Sequence, residues 1–300
     1  MALLAVPLFA CNNHKSNKFL VVSTTTMLND AVKQLAGDNV EAVSLIKAGV
    51  DPHTYTLVSH DVKKMRQADL VIVSGLHLEA QMGNTIRTLG DKVLDIGLFL
   101  EEKHNNNEGV ELLGWEDHLY DPHFWFNIDY WKIAANLITE RLISDDASNE
   151  ADYTRLNAQY MNALDEVKTY TFTKLEELAD NEKILMTAHD AFSYFGVYYD
   201  FEVVAIQGIS TEQEASPEDI KRVASESKRL NVKVIFIESS VPKRTVEAVV
   251  EAARQNGYTL KISQKELLSD SLGVEEDNNT YTKMIKYNID TIVSEIVQAR

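Results

Sequence analysis

A run of thirty residues without proline or glycine, "ADYTRLNAQYMNALDEVKTYTFTKLEELAD" (151–180), constrains the fold of this 300-residue chain more than any other stretch. Tyr153, Leu156, Tyr160, Leu164, Val167, Thr171, Leu175 and Leu178 recur every three or four residues, which is the spacing of one face of an α-helix. At 1.5 Å per residue the run predicts a single helix of ~45 Å. A helix this long spans a molecule of this size, and as a connector it is stiff where a Gly/Ser hinge would bend. The parts on its two sides are therefore expected to be joined rigidly, with little change of overall shape when a ligand binds.

On both sides the chain alternates short apolar runs with helical patterns. "FLVVST" (19–24), "VEAVSLI" (40–46), "DLVIVSG" (69–75) and "VLDI" (93–96) read as strands. "MLNDAVKQLAG", closed by Gly37, and "SHDVKKMRQA" (59–68), with Ser59 as N-cap, read as helices. Beyond the long run, "KILMTA" (183–188), "EVVAIQG" (202–208), "VKVIFIE" (232–238) and "YTLKIS" (258–263) are strand-like. Helical patterns at 217–230 and 242–256 separate the later ones, with Pro217 and Pro242 in first-turn positions. The alternation predicts an α/β fold of two lobes, each a mainly parallel sheet flanked by helices, joined by one long rigid helix. The boundaries it suggests are a signal and tether at 1–18, an N-terminal lobe at 19–148, the linking helix at 149–181 and a C-terminal lobe at 182–300.

The formal net charge is −17 and no basic cluster occurs, which argues against nucleic acid or an anionic membrane surface as partner. The single cysteine, Cys11, excludes an intramolecular disulfide. It ends the apolar run "MALLAVPLFAC", too short to cross a bilayer but suited to the apolar core of an export signal. Leu8-Phe9-Ala10-Cys11 resembles a bacterial lipobox, although no Lys or Arg precedes the run and Phe9 is larger than usual there. Export and a lipid anchor at Cys11, on the periplasmic or outer face of the cell membrane, are the expectation.

The word Asp-Pro-His occurs twice, in "KAGVDPHTYT" (47–56) and "LYDPHFWFN" (119–127), in a chain with only five prolines and eight histidines. Proline fixes its own φ and pushes the preceding Asp toward an extended conformation, so each histidine leaves a stiff loop in few directions. Both words fall near strand ends, where open α/β sheets bind ligands. Two such histidines, His53 and His123, suggest two ligands of one metal, and a metal that takes imidazole wants about four donors. His189 in "MTAHDAFSYF" (186–195) and Asp270 in "LLSDSLG" (267–273) supply the other two candidates, one after a strand and one in a loop. No short ligand spacing joins any pair, so folding has to assemble the site between the halves. Three imidazoles with an ordinary pKa of about 6.5 predict metal release as pH falls below neutrality.

The words "DPHTYT", "GLHLEAQMG", "DPHFWFN", "TAHDAFSYF", "FIESSVP", "LLSDSLG" and "YNIDTIV" together resemble, in this order, the zinc- and manganese-binding lipoproteins of bacterial ABC importers, the TroA-like solute-binding proteins of cluster A-I. The resemblance covers residues 19–300. It implies two α/β lobes on one rigid helix, with the metal in the cleft between them, and ligand roles for His53, His123, His189 and Asp270. It further implies zinc or manganese as the transported ligand, a membrane permease as partner, a monomer, and no enzymatic activity. Thr56 stands where many members have Glu and Ser193 where Gly is usual, and neither is a ligand position.

The remaining histidines have plainer readings. His77 in "GLHLE" reads as structural and His60 as solvated, while His104 and His118 belong to a loop only mildly rich in His and Asp. Phe124 and Trp125 read as packing, and Glu238 in "FIESS" as either an orienter of a ligand or a helix cap. Two rival functions are a zinc-dependent hydrolase, whose site keeps three protein ligands and an open position, and a surface adhesin.

Overall fold

The computed structural model describes residues 18–115 and 118–300, so the export segment and Cys11 lie outside the described residues. The chain begins with β1 (Phe19–Ser23), α1 (Thr26–Ala36), β2 (Val40–Ser44), α2 (Ser59–Gln67), β3 (Leu70–Val73), α3 (Gly83–Arg87), β4 (Val93–Asp95) and α4 (Ile96–Asn105). The four strands pair in the order β2-β1-β3-β4, all parallel. The continuous apolar run Leu70–Val73 is buried throughout, as a central parallel strand covered on both faces requires. A short antiparallel pair, β5 (Gly114–Trp115) and β6 (Leu119–Tyr120), leads into the second Asp-Pro-His word and then α5 (Ile128–Asp145).

The long helix is α6 (Glu150–Leu175), 26 residues and about 39 Å. Tyr153, Tyr160, Leu164, Val167, Thr171 and Leu175 form its buried face. It packs on α1 and α5 before it and on the last helix after it, and so forms a spine shared by both lobes. It ends short of residue 180 for a reason outside its own sequence. The Arg300 guanidinium donates to the Glu177 carbonyl at 2.9 Å and pairs with Glu182, while the Glu182 carboxylate accepts from the Ala179 N–H at 2.8 Å. Together they draw residues 177–182 into a separate turn.

The second lobe contains β7 (Ile184–His189), α7 (Ser193–Tyr199), β8 (Glu202–Gln207), α8 (Pro217–Arg229), β9 (Val234–Glu238), α9 (Arg244–Gln255), β10 (Lys261–Leu267) and α10 (Tyr281–Gln298). β7 pairs with β8 and β9 with β10, both parallel, and β7 runs beside β9. Pro217 opens α8 behind an Ser216 cap whose hydroxyl accepts from the Asp219 N–H at 3.1 Å.

Three local expectations shift. Ser59 is the first residue of α2 and not its cap, and the Asp61 carboxylate instead accepts from the Val58 N–H at 3.0 Å. Pro242 precedes α9, which begins at Arg244. The last strand runs to Leu267 because its register breaks between Ile262 and Glu266. There the Ser263 hydroxyl accepts from the Ile237 N–H at 3.1 Å and donates to the Lys265 carbonyl at 2.8 Å, so the strand continues through polar, largely exposed residues to the buried Leu267. Among the described residues no helix is long and apolar enough to cross a membrane.

Candidate metal centre

The two Asp-Pro-His words fold alike. In each, the Asp carboxylate accepts the backbone N–H of the histidine two residues on, at 2.9 Å for His53 and 2.9 Å for His123. The proline between them donates nothing and keeps the turn rigid. The repeated word is therefore a device for aiming an imidazole. His53 leaves the loop between β2 and α2, and His123 follows β6. His189 is the last residue of β7, and Asp270 sits just beyond β10.

The structure brings all four predicted residues together. One donor atom from each lies within 4.8 Å of the others, and the side chains are 3%, 0%, 0% and 1% exposed for His53, His123, His189 and Asp270. Two come from each side of the cleft. His53 Nε2 stands 3.3 Å from His123 Nε2, His123 Nε2 3.3 Å from Asp270 Oδ1, and His189 Nε2 3.5 Å from Asp270 Oδ2. A tetrahedral ion with metal–ligand bonds of about 2.0–2.1 Å has ligand–ligand edges of about 3.3–3.4 Å, a length that these three spacings match. Asp270 Oδ1 and His189 Nε2 have no hydrogen-bond partner although both are fully buried. Asp270 Oδ2 is held by the Ser240 and Ser269 hydroxyls at 2.6 and 3.2 Å, which leaves Oδ1 with lone pairs turned to the pocket.

The rings are oriented from behind. His123 Nδ1 lies 2.7 Å from Asp121 Oδ1, with the aspartate fully buried. His189 Nδ1 lies 2.6 Å from Glu238 Oε2, an ion-pair distance without hydrogen-bond alignment. Glu238 Oε1 accepts the N–H groups of Ala188 and His189 at 2.8 and 2.9 Å, so a side chain on β9 also fixes the end of β7. Of the two readings of Glu238, the orienting one fits this geometry. Replacing Glu238 by Gln keeps the shape and removes the charge behind His189, and metal affinity is expected to fall about tenfold. A dissociation constant within twofold of the unaltered protein in calorimetric titration would contradict that role.

Burial and charge act differently on the three imidazoles. Burial pushes His53 down to about 3, with Asp270 opposing and the other two histidines adding to the fall. Burial also depresses His123, but Asp121 and Asp270 overcome it and hold the ring at about 9. His189 follows the same pattern, with Glu238 and Asp270 raising it well above the ordinary value against burial. Asp270 is pulled well below the usual carboxylate range by His189 and His123, against its own burial. Without metal, burial thus favours a neutral His53, while the neighbouring carboxylates favour the charged forms of His123 and His189 and the two rings favour an ionised Asp270.

The Asp270 loop is fastened to the opposite lobe. Trp125 donates its indole N–H to the Ser269 carbonyl at 2.9 Å, the Gly49 N–H donates to the Ser271 hydroxyl at 2.9 Å, and the Leu272 N–H to the Thr26 hydroxyl at 2.8 Å. Trp125 is fully buried, so its packing role is joined by a polar one that its indole N–H could have suggested. The roles of Asp51 and Asp121 escape sequence reading, although the Asp-x-His spacing carries a signal for them.

The other histidines stay apart from the centre. His60, His77 and His118 are exposed, and His104 accepts the Leu112 N–H at 3.2 Å. In "GLHLE" the buried group is Glu79, which accepts from the Thr24 hydroxyl at 2.5 Å and the Ser74 and Gly75 N–H groups at 2.8 and 3.0 Å. Burial pushes its carboxyl up to about 7.

The sequence profile of the family described as zinc-uptake complex component A, periplasmic (ZnuA), matches residues 21–295. The chain is 36% identical to the zinc-binding protein TroA of Treponema pallidum (strain Nichols), over 94% of this chain and 90% of that protein. It is 34% identical to the manganese-binding lipoprotein MntA of Bacillus subtilis (strain 168), over 91% of this chain and 88% of that one. The solved structure of the periplasmic zinc-binding protein TroA from Treponema pallidum superposes with a TM-score of 0.88 at 36% identity, covering 94% of this chain and 100% of that structure. On this agreement of sequence and fold, the chain belongs to the ZnuA family of metal-binding substrate-binding proteins of ABC transporters.

Proposed function

We propose that this protein captures a divalent transition metal, zinc or manganese, outside the cytoplasmic membrane and delivers it to the permease of an ABC importer. The metal is cargo, and His53, His123, His189 and Asp270 are its ligands. The observation that carries this reading is the convergence of three imidazoles and a carboxylate, two from each side of the cleft, in a fully buried pocket. The carboxylates that favour positive charge on His123 and His189 also favour a cation in their place, which suits an M²⁺ cargo. Asp270 presents Oδ1 to His123 and Oδ2 to His189, so the carboxylate can bind through one oxygen to a four-coordinate ion or both to a larger one. Zinc stands above manganese in the affinity order of almost any such site. Residues 19–148 and 182–300 serve as the two lobes and 149–181 as their connector. Cys11 serves as a lipid anchor, a role consistent with the lipoprotein named among the relatives.

The hydrolase reading fares worse, because four protein donors fill a tetrahedral shell where a hydrolytic zinc keeps a place for water. Metal-free protein titrated with zinc or manganese should take up one equivalent, and the loaded protein should not turn over ester, phosphate or peptide substrates. Absence of stoichiometric uptake, or sustained turnover, would sink the proposal.

A further inference from the structure

Two of the three histidines have a carboxylate behind the ring, at His123 Nδ1 and His189 Nδ1. Among the described residues no carboxylate backs the His53 ring, which depends on its turn, whose geometry is set by Asp51. Asp51 Oδ1 accepts the His53 N–H at 2.9 Å, and Oδ2 accepts the Thr54 hydroxyl at 2.9 Å. The third donor to Asp51 comes from the other lobe, where the Thr211 hydroxyl donates to Oδ2 at 2.6 Å, across 160 residues of sequence. Thr211 lies in the irregular segment between β8 and α8. The next residue makes a second crossing, with Glu212 Oε1 accepting from Gln81 Nε2 at 2.6 Å. One segment of the second lobe thus reaches over the first lobe beside His53 and grips it at two points.

We infer that Thr211 is a positioning residue, a latch whose hydrogen bond to Asp51 holds the His53 turn in its metal-binding geometry and sets how slowly the metal leaves. The inference rests on the ligand role proposed for His53. Its physical basis is the asymmetry among the three rings. Separation of the lobes leaves His123 with Asp121, and His189 with Glu238, because each pair lies within one lobe. The same separation strips Asp51 of Thr211 and frees the Asp270 loop from Trp125, Gly49 and Thr26, so of the three rings it is His53 that loses a contact fixing its turn. Release should therefore begin at His53, and the latch bond, made to a charged acceptor, is of the stronger kind.

The test is the release rate of zinc, followed by transfer to an excess of chromophoric chelator, for the full protein and four variants. Thr211→Val keeps the shape and loses the donor, and is expected to raise the dissociation rate about tenfold. The association rate and the metal-free melting temperature should be unchanged. Thr211→Ser restores the donor and should return the rate to within twofold of the unaltered protein. In a His53→Ala background, Thr211→Val should add no further acceleration. A Thr211→Val rate within twofold of the unaltered one, alongside a large loss in His53→Ala, would overturn the latch and leave the ligand set standing. A His53→Ala protein that binds zinc as tightly as the unaltered one would overturn the ligand set, and the latch with it.

Discussion

Raising the pH from about 6 to about 8 should tighten metal binding by at least about a hundredfold, because each bound ion displaces the His123 proton across that range and His189, also raised, adds to the effect. The metal-free site sets this number. His53 is already neutral, since burial holds it at about 3, and it releases nothing. His123, at about 9 against its burial through Asp121 and Asp270, and His189, raised by Glu238 and Asp270, are both charged until the pH passes their folded values. The apparent affinity then rises by about one logarithmic unit per pH unit through His123, more steeply where His189 also gives up its proton, and the His123 part flattens only above about 9. Ordinary imidazoles would have placed the change below neutrality, and the carboxylates behind the rings move it upward. The metal-free protein should show a companion effect on stability. The folded value of His123 lies above its unfolded value of about 6.5, so its contribution is fully present below that and is lost as pH rises through about 9. Asp270, depressed, contributes above its unfolded value and loses that contribution as pH falls through its lower folded value. Calorimetric titrations in two buffers of different ionisation heat count the protons directly. Release of fewer than one proton per metal at neutral pH would contradict the charged state of the two rings.

The four candidate donors were legible because each stands where sequence carries a geometric signal. His53 and His123 follow the stiff Asp-Pro, His189 ends an apolar strand, and Asp270 follows the last strand. The groups that tune them were less so. Glu238 is 49 residues from His189 and meets it only because β9 lies beside β7, a neighbour relation that strand patterns do not encode. Asp51 binds Thr211, and Trp125 binds Ser269, across the cleft, and neither partner is marked by spacing. The end of α6 was misplaced for a similar reason, since Arg300 at the far end of the chain competes for residues 177–182. Periodicity reports one face of one element, and it cannot report a contact that exists only after two elements have docked.

Removal of single ligands should separate binding from stability. If four donors share an affinity of about 10–16 kcal/mol, the range known for zinc sites rich in imidazole and thiolate, each is worth about 3 kcal/mol, or about a hundredfold in dissociation constant. Alanine at His53, His123 or His189 should therefore weaken zinc binding by about a hundredfold or more. Alanine at the exposed His60 or His77 should change it by less than about twofold. The three ligand variants should differ in the absence of metal. His53→Ala removes a neutral ring with no carboxylate behind it and should leave the metal-free protein nearly as stable as before. His123→Ala abandons Asp121, and His189→Ala abandons Glu238, each a carboxylate at most 1% exposed. A buried charge that loses its partner costs about 3–5 kcal/mol, so both variants should melt well below the unaltered protein before any metal is added. For Glu238 the cost is tempered by two backbone N–H donors, while Asp121 keeps only the His123 N–H, so His123→Ala should be the less stable of the two. Metal titrations and metal-free melts on the same five variants give both readouts. Equal affinity losses for His60→Ala and His53→Ala would refute the ligand set. Equal metal-free stability for all three ligand variants would contradict the pairing of Asp121 with His123 and of Glu238 with His189.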